Sequence, residues 1–355
     1  MALPFLKPAI SRSRDHLLSI DLGGRTTKAV YLQRKDHTYA LCQYAILDAP
    51  IFEKSWSVDL LSDHLKAVTQ ALQPKTRQAT IALGLNDLVV RNIEMPAMPI
   101  AEMRQILKLN SKAYLQQDLP GYVFDCYIVS PRRPNEKSAP KEEAGKVKVL
   151  VAGIKQTAIA DLQTAVRNAG LIADFVVPSL IGPVNAFEQS MPEAFNSEVI
   201  AIVDIGFKNT TICLLQEGQV TLTRAVNIGG DRITAGVAEL MNISYAEAEG
   251  IKLGMPAEIQ SQLDLTVSPL GRELRASIDF FEHQQDRIVN RVYLCGGSSR
   301  SEPIVQTLQT ELAVECKTWN PANFLQLALP PQQQSEAEQI MPQLTAAIGA
   351  ALSAV

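Results

Sequence analysis

One short pattern occurs twice in this chain, and it restricts the fold more than any other feature. Residues 19–28 read SIDLGGRTTK and residues 203–211 read VDIGFKNTT. Aligned without gaps, Asp21 falls on Asp204, Gly23 on Gly206, Arg25 on Lys208 and Thr27 on Thr210, at a constant offset of 183. A lone Asp-x-Gly marks only a turn, because both residue types are ordinary turn formers. Here it recurs in the same setting. HLLSIDL, TTKAVYLQ and YALCQYAIL read as three strands, the last two joined by a polar turn at 34–37. EVIAIVDIG, TTICLLQ and QVTLTRAVNI repeat that layout, with Glu217-Gly218 as the turn. The repeat predicts two lobes built on one plan, and a chain of 355 residues is long enough for two cores.

Between the copies the pattern changes. Residues 85–174 predict a compact α+β unit: a strand at LVVRNIEM, an amphipathic helix from Ile100 to Leu119, the strand pair VFDCYIV and KVKVLVAGI, and a helix from Thr157 to Ala169 closed by Gly170. SPRRPNEKSAPKEEAGK, between the paired strands, reads as a charged surface loop rich in proline. We read this unit as an insertion rather than as more of the first lobe's sheet. The expected organisation is a first lobe of residues 1–84, 175–198 and 322–355, the inserted unit at 85–174, and a second lobe at 199–321.

Helix punctuation is clear at several places. Ser57 caps a helix whose apolar positions Val58, Leu61, Leu65, Val68 and Leu72 run until Pro74. Ser244 and Glu247 form a capping box opening a helix that ends at Gly254-Met255-Pro256. A longer helix, Leu270 to about Asn290, keeps Leu270, Leu274, Ile278 and Phe281 on one face and leads to the strand RVYLC and the turn GGSSR. The small residues Ala346, Ala347, Gly349 and Ala350 predict a close-packed helix between the lobes.

Several classes of function are excluded. A net charge of -4 supplies no basic field for nucleic acid. Five cysteines, odd in number and never spaced as CxxC, read as buried thiols in a reducing cytosol rather than as zinc ligands or disulfides. The motifs GxxxxGK[ST], GxGxxG and HExxH are missing, and four scattered histidines support no triad. No segment reaches the ~18 apolar residues of a membrane span, and the first residues lack the apolar run of a signal peptide. The expectation is a cytoplasmic protein.

The remaining chemistry points to an anion. Glycine turns follow apolar strands at Gly23-Gly24, Gly206 and Gly296-Gly297, and successive turn amides form a concave nest for phosphate oxygens. Lys28 follows the first turn and can reach back over phosphates as a point charge. Asp21 and Asp204 could face each other and hold the waters of Mg²⁺, which needs few protein carboxylates; the bland alternative is that each bonds its own turn.

In order along the chain, the two hairpins, VNIGGDRIT, YAEAEGIKLG, RELRASIDFFEHQ and LCGGSSR resemble the actin-like ATPase superfamily. Within it the chain is most similar to the type IV pilus assembly protein PilM family, which RNIEMPAMP and KAYLQQDLP in the inserted unit also resemble. The resemblance covers nearly the whole chain. It implies an α/β fold of two actin-like lobes, each a ribonuclease-H-like domain, with an inserted α+β subdomain. The cell-division protein FtsA shares that subdomain but ends in a membrane-binding helix, which TAAIGAALSAV does not resemble.

The implied site can be placed residue by residue. Gly23, Gly24, Arg25, Thr26 and Thr27 would form the first phosphate loop, with Lys28 reaching the phosphates. Gly206, Asn209 and Thr210 would form the second. Gly229, Gly230 and Asp231 would lie beside ribose and phosphates, Glu249 and Lys252 would meet ribose and adenine, and Gly296, Gly297 and Ser298 would flank the adenosine. Asp21 and Asp204 would be the catalytic and Mg²⁺-holding pair. Arg25 replaces a small hydroxyl residue common in the superfamily, and Phe207 and Lys208 are bulky beside the second phosphate position. The implied cofactors are ATP and Mg²⁺, with at most slow hydrolysis. The implied partner is a PilN-like inner-membrane protein, bound through its short cytoplasmic segment, so contact with the membrane is indirect. Pilus ATPases and a second copy of the chain are further partners the resemblance allows. A sugar-kinase-type phosphotransferase and a scaffold that binds no nucleotide stay open beside this reading.

Overall fold

The computed structural model describes residues 14–36, 38–50, 56–84, 88–129 and 145–355. Most of the proline-rich loop, and the N-terminal stretch up to residue 13, lie outside the described residues.

The first lobe begins with β1 (His16–Leu22), β2 (Thr26–Lys35) and β3 (Thr38–Asp48), followed by α1 (Val58–Leu72) and β4 (Gln78–Leu83). Ser57 caps α1 by accepting a hydrogen bond from Leu60 N, and Gln73 ends it in the left-handed conformation just before Pro74. Next come β5 (Leu88–Pro96), α2 (Ile100–Leu109), α3 (Ser111–Leu115), β6 (Tyr122–Ile128) and β7 (Lys146–Lys155). The chain then continues through α4 (Gln156–Asn168), β8 (Ile172–Pro178), α5 (Ile181–Ser190) and α6 (Pro192–Ser197).

The second lobe holds β9 (Val199–Ile205), β10 (Thr210–Gln216), β11 (Gln219–Val226), α7 (Gly230–Met241), α8 (Tyr245–Gly254), α9 (Gln260–Gln285), β12 (Arg291–Cys295), α10 (Glu302–Leu312) and β13 (Cys316–Thr318). The chain finishes with β14 (Gln326–Leu327), α11 (Pro331–Gln334) and α12 (Ala337–Ala351).

Three sheets result, in the orders β14-β3-β2-β1-β4-β8, β11-β10-β9-β12-β13 and β5-β7-β6. The first two share one plan: an antiparallel three-strand meander whose first strand then pairs in parallel with a later one, β1 with β4 and β9 with β12. Register fixes the equivalence. Asp21 pairs with Lys28 and Asp204 pairs with Thr211.

The third sheet is antiparallel and has its own core, in which Met103, Leu107 and Leu115 from α2 and α3 cover Phe124, Cys126, Val149 and Val151. The single helix expected from Ile100 to Leu119 is two short ones. Asn110 leaves the helical region (φ -145°, ψ 54°), and Ser111 occupies the buried position where the apolar row would continue. Its hydroxyl accepts from Leu119 N at 2.9 Å, closing a turn that helix hydrogen bonds do not reach. α4, grouped in the sequence reading with the inserted unit, packs Ile159, Leu162, Ala165 and Val166 into the first lobe's core, against α1.

α9 starts ten residues before the expected position, at Gln260 rather than Leu270, and runs straight through Pro269. A proline inside a helix orphans the carbonyl four residues back. That residue is Leu265, on the water-facing side and 65% exposed, so its carbonyl can be solvated while Leu263, Val267, Leu270 and Leu274 keep the buried stripe continuous. The helix ends at Gln285, with Asp286 left-handed, short of the expected Asn290.

α5 and α12 pack on each other between the two large sheets. Phe187 of α5 sits 4.5 Å from the ring of Tyr293 on β12 and 5.0 Å from Trp319, so a buried aromatic group ties this layer to the second lobe. At the helix crossing, backbone meets backbone: a β-carbon on Gly349 would overlap the Gly182 carbonyl, and one on Gly182 would lie 2.7 Å from Ala346 Cα. Asn185 closes the crossing by donating to Gly349 O and to Ser353 Oγ, both at 3.1 Å. The expected small-residue helix is therefore this layer.

Cys126, Cys213, Cys295 and Cys316 are buried, Cys42 is partly exposed, and none is in a disulfide. Among the described residues no helix is long and apolar enough to cross a membrane.

Candidate functional site

The C-terminal ends of β1 and β9 point into one cleft of about 620 Å³. A parallel or mixed sheet places its ligand-binding loops at the carboxyl ends of its strands, and here two sheets do so toward one another. Both hairpin turns line this space: Gly23, Gly24, Arg25 and Thr26 from the first, and Gly206, Phe207, Lys208 and Asn209 from the second. The Gly296–Gly297 turn after β12 closes the side, and Gly296 N donates to Pro342 O of α12 at 2.8 Å.

Lys28 bends back over the first turn. Its Nζ lies 3.6 Å from Asp21 Oδ2, and a β-carbon on Gly23 would come within 2.5 Å of Thr26 O and 2.8 Å of that ammonium, so the turn beneath the lysine favours glycine. Asp21 is buried, with 5% exposure. Loss of solvent pushes its carboxyl above the usual range, against the pull of Lys28. Asp204 is pushed up to about 6 by the same loss of solvent, opposed by Lys28 and reinforced by the charge of Asp21. Two carboxylates lining one cleft, the charge of Asp21 raising Asp204, suit a divalent cation. No group of three or more His, Cys, Asp or Glu residues suited to a metal occurs among the described residues, so a metal here would rest on two carboxylates and water, a donor set that fits Mg²⁺.

On the far wall, Lys252 is only 6% exposed and its ammonium reaches Glu249 Oε2 at 2.7 Å, Thr234 Oγ1 at 2.5 Å and Gly230 O at 3.5 Å. These two residues are a buried pair, not a solvated one at helical spacing. Burial alone would raise Glu249, but hydrogen bonds from Lys252 and Thr234 outweigh it and hold the carboxyl below its usual range. Glu249 Oε1 is taken by Arg25 Nη1 at 2.7 Å, a contact that spans the lobes. The guanidinium also lies 5.4 Å from the centre of the Phe207 ring, and Lys208 Nζ lies 5.1 Å from it.

Fifteen of the residues singled out in the sequence line the cleft: Asp21, Gly23, Gly24, Arg25, Thr26, Lys28, Asp204, Gly206, Asn209, Gly230, Glu249, Lys252, Gly296, Gly297 and Ser298. Four do not. Strand alternation turns Thr27 and Thr210 away from it: Thr27 Oγ1 is hydrogen-bonded to His64 Nε2 at 2.7 Å, and Thr210 Oγ1 donates to Ile228 O at 2.7 Å. Gly229 lies behind Phe207, and Asp231 is held by Lys208 at 2.6 Å and Tyr245 at 2.9 Å. The sequence reading missed Thr211, which lines the cleft beside Asp204. The repeat offset pointed to it, since Thr211 is the mate of Lys28. It also missed Gln339 and Gln343, whose i,i+4 spacing on a mainly apolar helix was the available signal.

The profile of the family described as "Type IV pilus assembly protein PilM" matches residues 19–355. The chain belongs to the PilM family. It is similar to the cell division protein FtsA of Bacillus subtilis (strain 168), with 23% identity over 257 residues, which are 66% of this chain and 57% of FtsA. The chain thus spans just over half the length of that relative. Among solved structures, the PilM-PilN type IV pilus biogenesis complex superposes with a TM-score of 0.81 at 23% identity, covering 98% of this chain and 99% of that one. MreB 5 of Spiroplasma citri, bound to AMPPNP, superposes at 0.52 with 10% identity, covering 96% of each chain. The fold is therefore that of the actin-like ATPases, and the family is one of pilus assembly.

Proposed function

We propose that this protein is an ATP-binding adaptor of type IV pilus assembly. It holds ATP with Mg²⁺ between its lobes and grips the short cytoplasmic segment of a PilN-like inner-membrane protein through the unit of β5–β7, α2 and α3. The observation that carries the nucleotide half is that both copies of the hairpin turn, with Asp21, Lys28 and Asp204, open onto the same cleft. In support, MreB 5 was solved with AMPPNP on this fold. The partner half is supported by similarity to the PilM-PilN complex, and it puts the protein at the cytoplasmic face of the inner membrane.

In this reading the turn amides that follow Gly23 and Gly206, whose own N–H groups bond Asp21 O and Asn209 O, cradle phosphate oxygens, and Lys28 supplies a point charge. Asp21 and Asp204 hold Mg²⁺ through its water, and the ion would neutralise phosphate charge there. Gly296, Gly297 and Ser298 flank the nucleoside. Hydrolysis in this reading is at most slow, with phosphate charge met by the turn amides, Lys28 and the ion.

Calorimetry with ATP and Mg²⁺ tests the reading. One charge-assisted contact is worth about 1.5–3 kcal/mol, so Lys28→Ala should weaken binding roughly 10- to 150-fold. Unchanged affinity removes Lys28 from the site, and wild-type protein that binds no ATP and carries no ADP or ATP by native mass spectrometry leaves a scaffold. A PilN-like N-terminal peptide should bind in fluorescence anisotropy. Turnover stimulated by a sugar or acid would replace the adaptor with a phosphotransferase.

A further inference from the structure

Arg25 crosses the mouth of the cleft. It sits on the first lobe's turn, its backbone pinned where Ala49 N donates to Arg25 O at 2.8 Å, and its side chain reaches a carboxylate on α8 of the second lobe. We propose that Arg25 is a shuttling cation: it ties the two lobes together through Glu249, and a triphosphate entering the cleft takes it over and breaks the tie.

Three observations carry this. The guanidinium is the less buried partner, its side chain 42% exposed against 13% for that of Glu249. Glu249 does not depend on it, because Oε2 keeps Lys252 and Thr234 when Arg25 leaves, so no buried carboxylate is stranded. The competing ligand also has the larger pull: a triphosphate carries several negative charges beside the same turn, against one carboxylate already shared with a buried lysine. The Phe207 ring, 5.4 Å from the guanidinium carbon, gives the cation a second contact that does not depend on Glu249. Occupancy of the cleft would thus be reported as the presence or absence of one ion pair between the lobes.

The transfer half rests on the nucleotide reading above, whereas the tie does not. The test therefore has two arms. Without any ligand, in a Cys42→Ser background, spin labels at Lys66→Cys on α1 and Glu239→Cys on α7 report the distance between lobes. Arg25→Met should broaden that distribution toward longer distances, with Arg25→Lys in between. An Arg25→Met distribution that matches the unsubstituted one, with circular dichroism showing both folded, overturns the tie.

The second arm uses tripolyphosphate with Mg²⁺, which lacks ribose and base, so that any contact of Glu249 with a nucleoside drops out. Arg25→Met should bind it about tenfold more weakly, the equivalent of one charge-assisted contact less the one given up. Glu249→Gln should bind it more tightly, because it releases the cation. Arg25→Met binding as tightly as wild type overturns the transfer. Wild-type protein that binds neither tripolyphosphate nor ATP overturns the transfer and the nucleotide reading together, and the ligand-free arm still decides the tie.

Discussion

Lys252 and Glu249 show how much one residue can depend on another. An ammonium with 6% exposure is stable only while its charge is met, and Glu249 supplies the opposite charge in direct contact with it. Glu249→Ala should therefore cost about 3 kcal/mol in chemical denaturation, the lower end of breaking a buried pair, because Thr234 and Gly230 O still bond the lysine. Lys252→Met should cost less, since Glu249 retains Arg25 and Thr234; equal losses would show that the lysine is not the stranded partner. His64 gives a second test at this scale. Burial lowers its pKa from 6.5, so the folded protein prefers the neutral ring that bonds Thr27. A group with a depressed folded pKa contributes stability above its unfolded value and loses it as pH falls. Thermal stability should begin to drop as pH falls through about 6.5 and go on dropping toward the lowered folded value, and His64→Gln, which can still bond Thr27, should drop less. An identical drop in both proteins counts against His64. Thr27 itself shows where reading residues in sequence stops short. The repeat revealed that the threonines are equivalent, but which of two adjacent threonines faces the ligand follows from strand register, which the spacing of motifs does not contain.

Among the elements, the α5–α12 crossing is the most demanding. Gly349→Ala would place a methyl where the Gly182 carbonyl now sits, so the helices must separate or tilt. The expected cost is about 3 kcal/mol, read as a fall in urea midpoint with the slope of the transition unchanged. A loss below about 0.5 kcal/mol, typical of surface changes, would show that the crossing is loose. Elements whose ends carry capping chemistry were legible in the sequence: Ser57 and Ser244 fixed the starts of α1 and α8. Those that break a local rule were not. Pro269 reads as a helix boundary, but the buried stripe from Leu263 to Phe281 outweighs it, and α9 passes through. Asn110 reads as tolerable within a helix, yet the buried hydroxyl of Ser111 makes a break there favourable. In both places burial overrode local propensity.

At the scale of the whole molecule, the lobes could be read from the repeat and the third sheet from its change of pattern; the second lobe and the third sheet have cores made by their own segments, whereas the first lobe's core also takes in residues of both. The layer between them could be read only in part. The small residues of α12 suggested close packing, but that α5 would be the partner depends on distant segments meeting through Phe187, Tyr293 and Trp319. A ligand that contacts both lobes should stabilise the whole chain at once. At a hundred times its dissociation constant, ATP with Mg²⁺ should add about 2.7 kcal/mol, seen as one upward shift of a single melting transition. At the same ATP concentration Lys28→Ala should show a much smaller shift, and two transitions of which only one moves would mean that the nucleotide sits within one lobe. The bare backbone contact at Gly182 and Gly349 has one more consequence. With the backbones in direct contact and Asn185 bridging them, the joint acts as a pivot pin that resists sliding more than a change of angle. A few degrees of turn at such a pin would be magnified at the periphery, as the tips of scissors travel farther than the handles near the rivet.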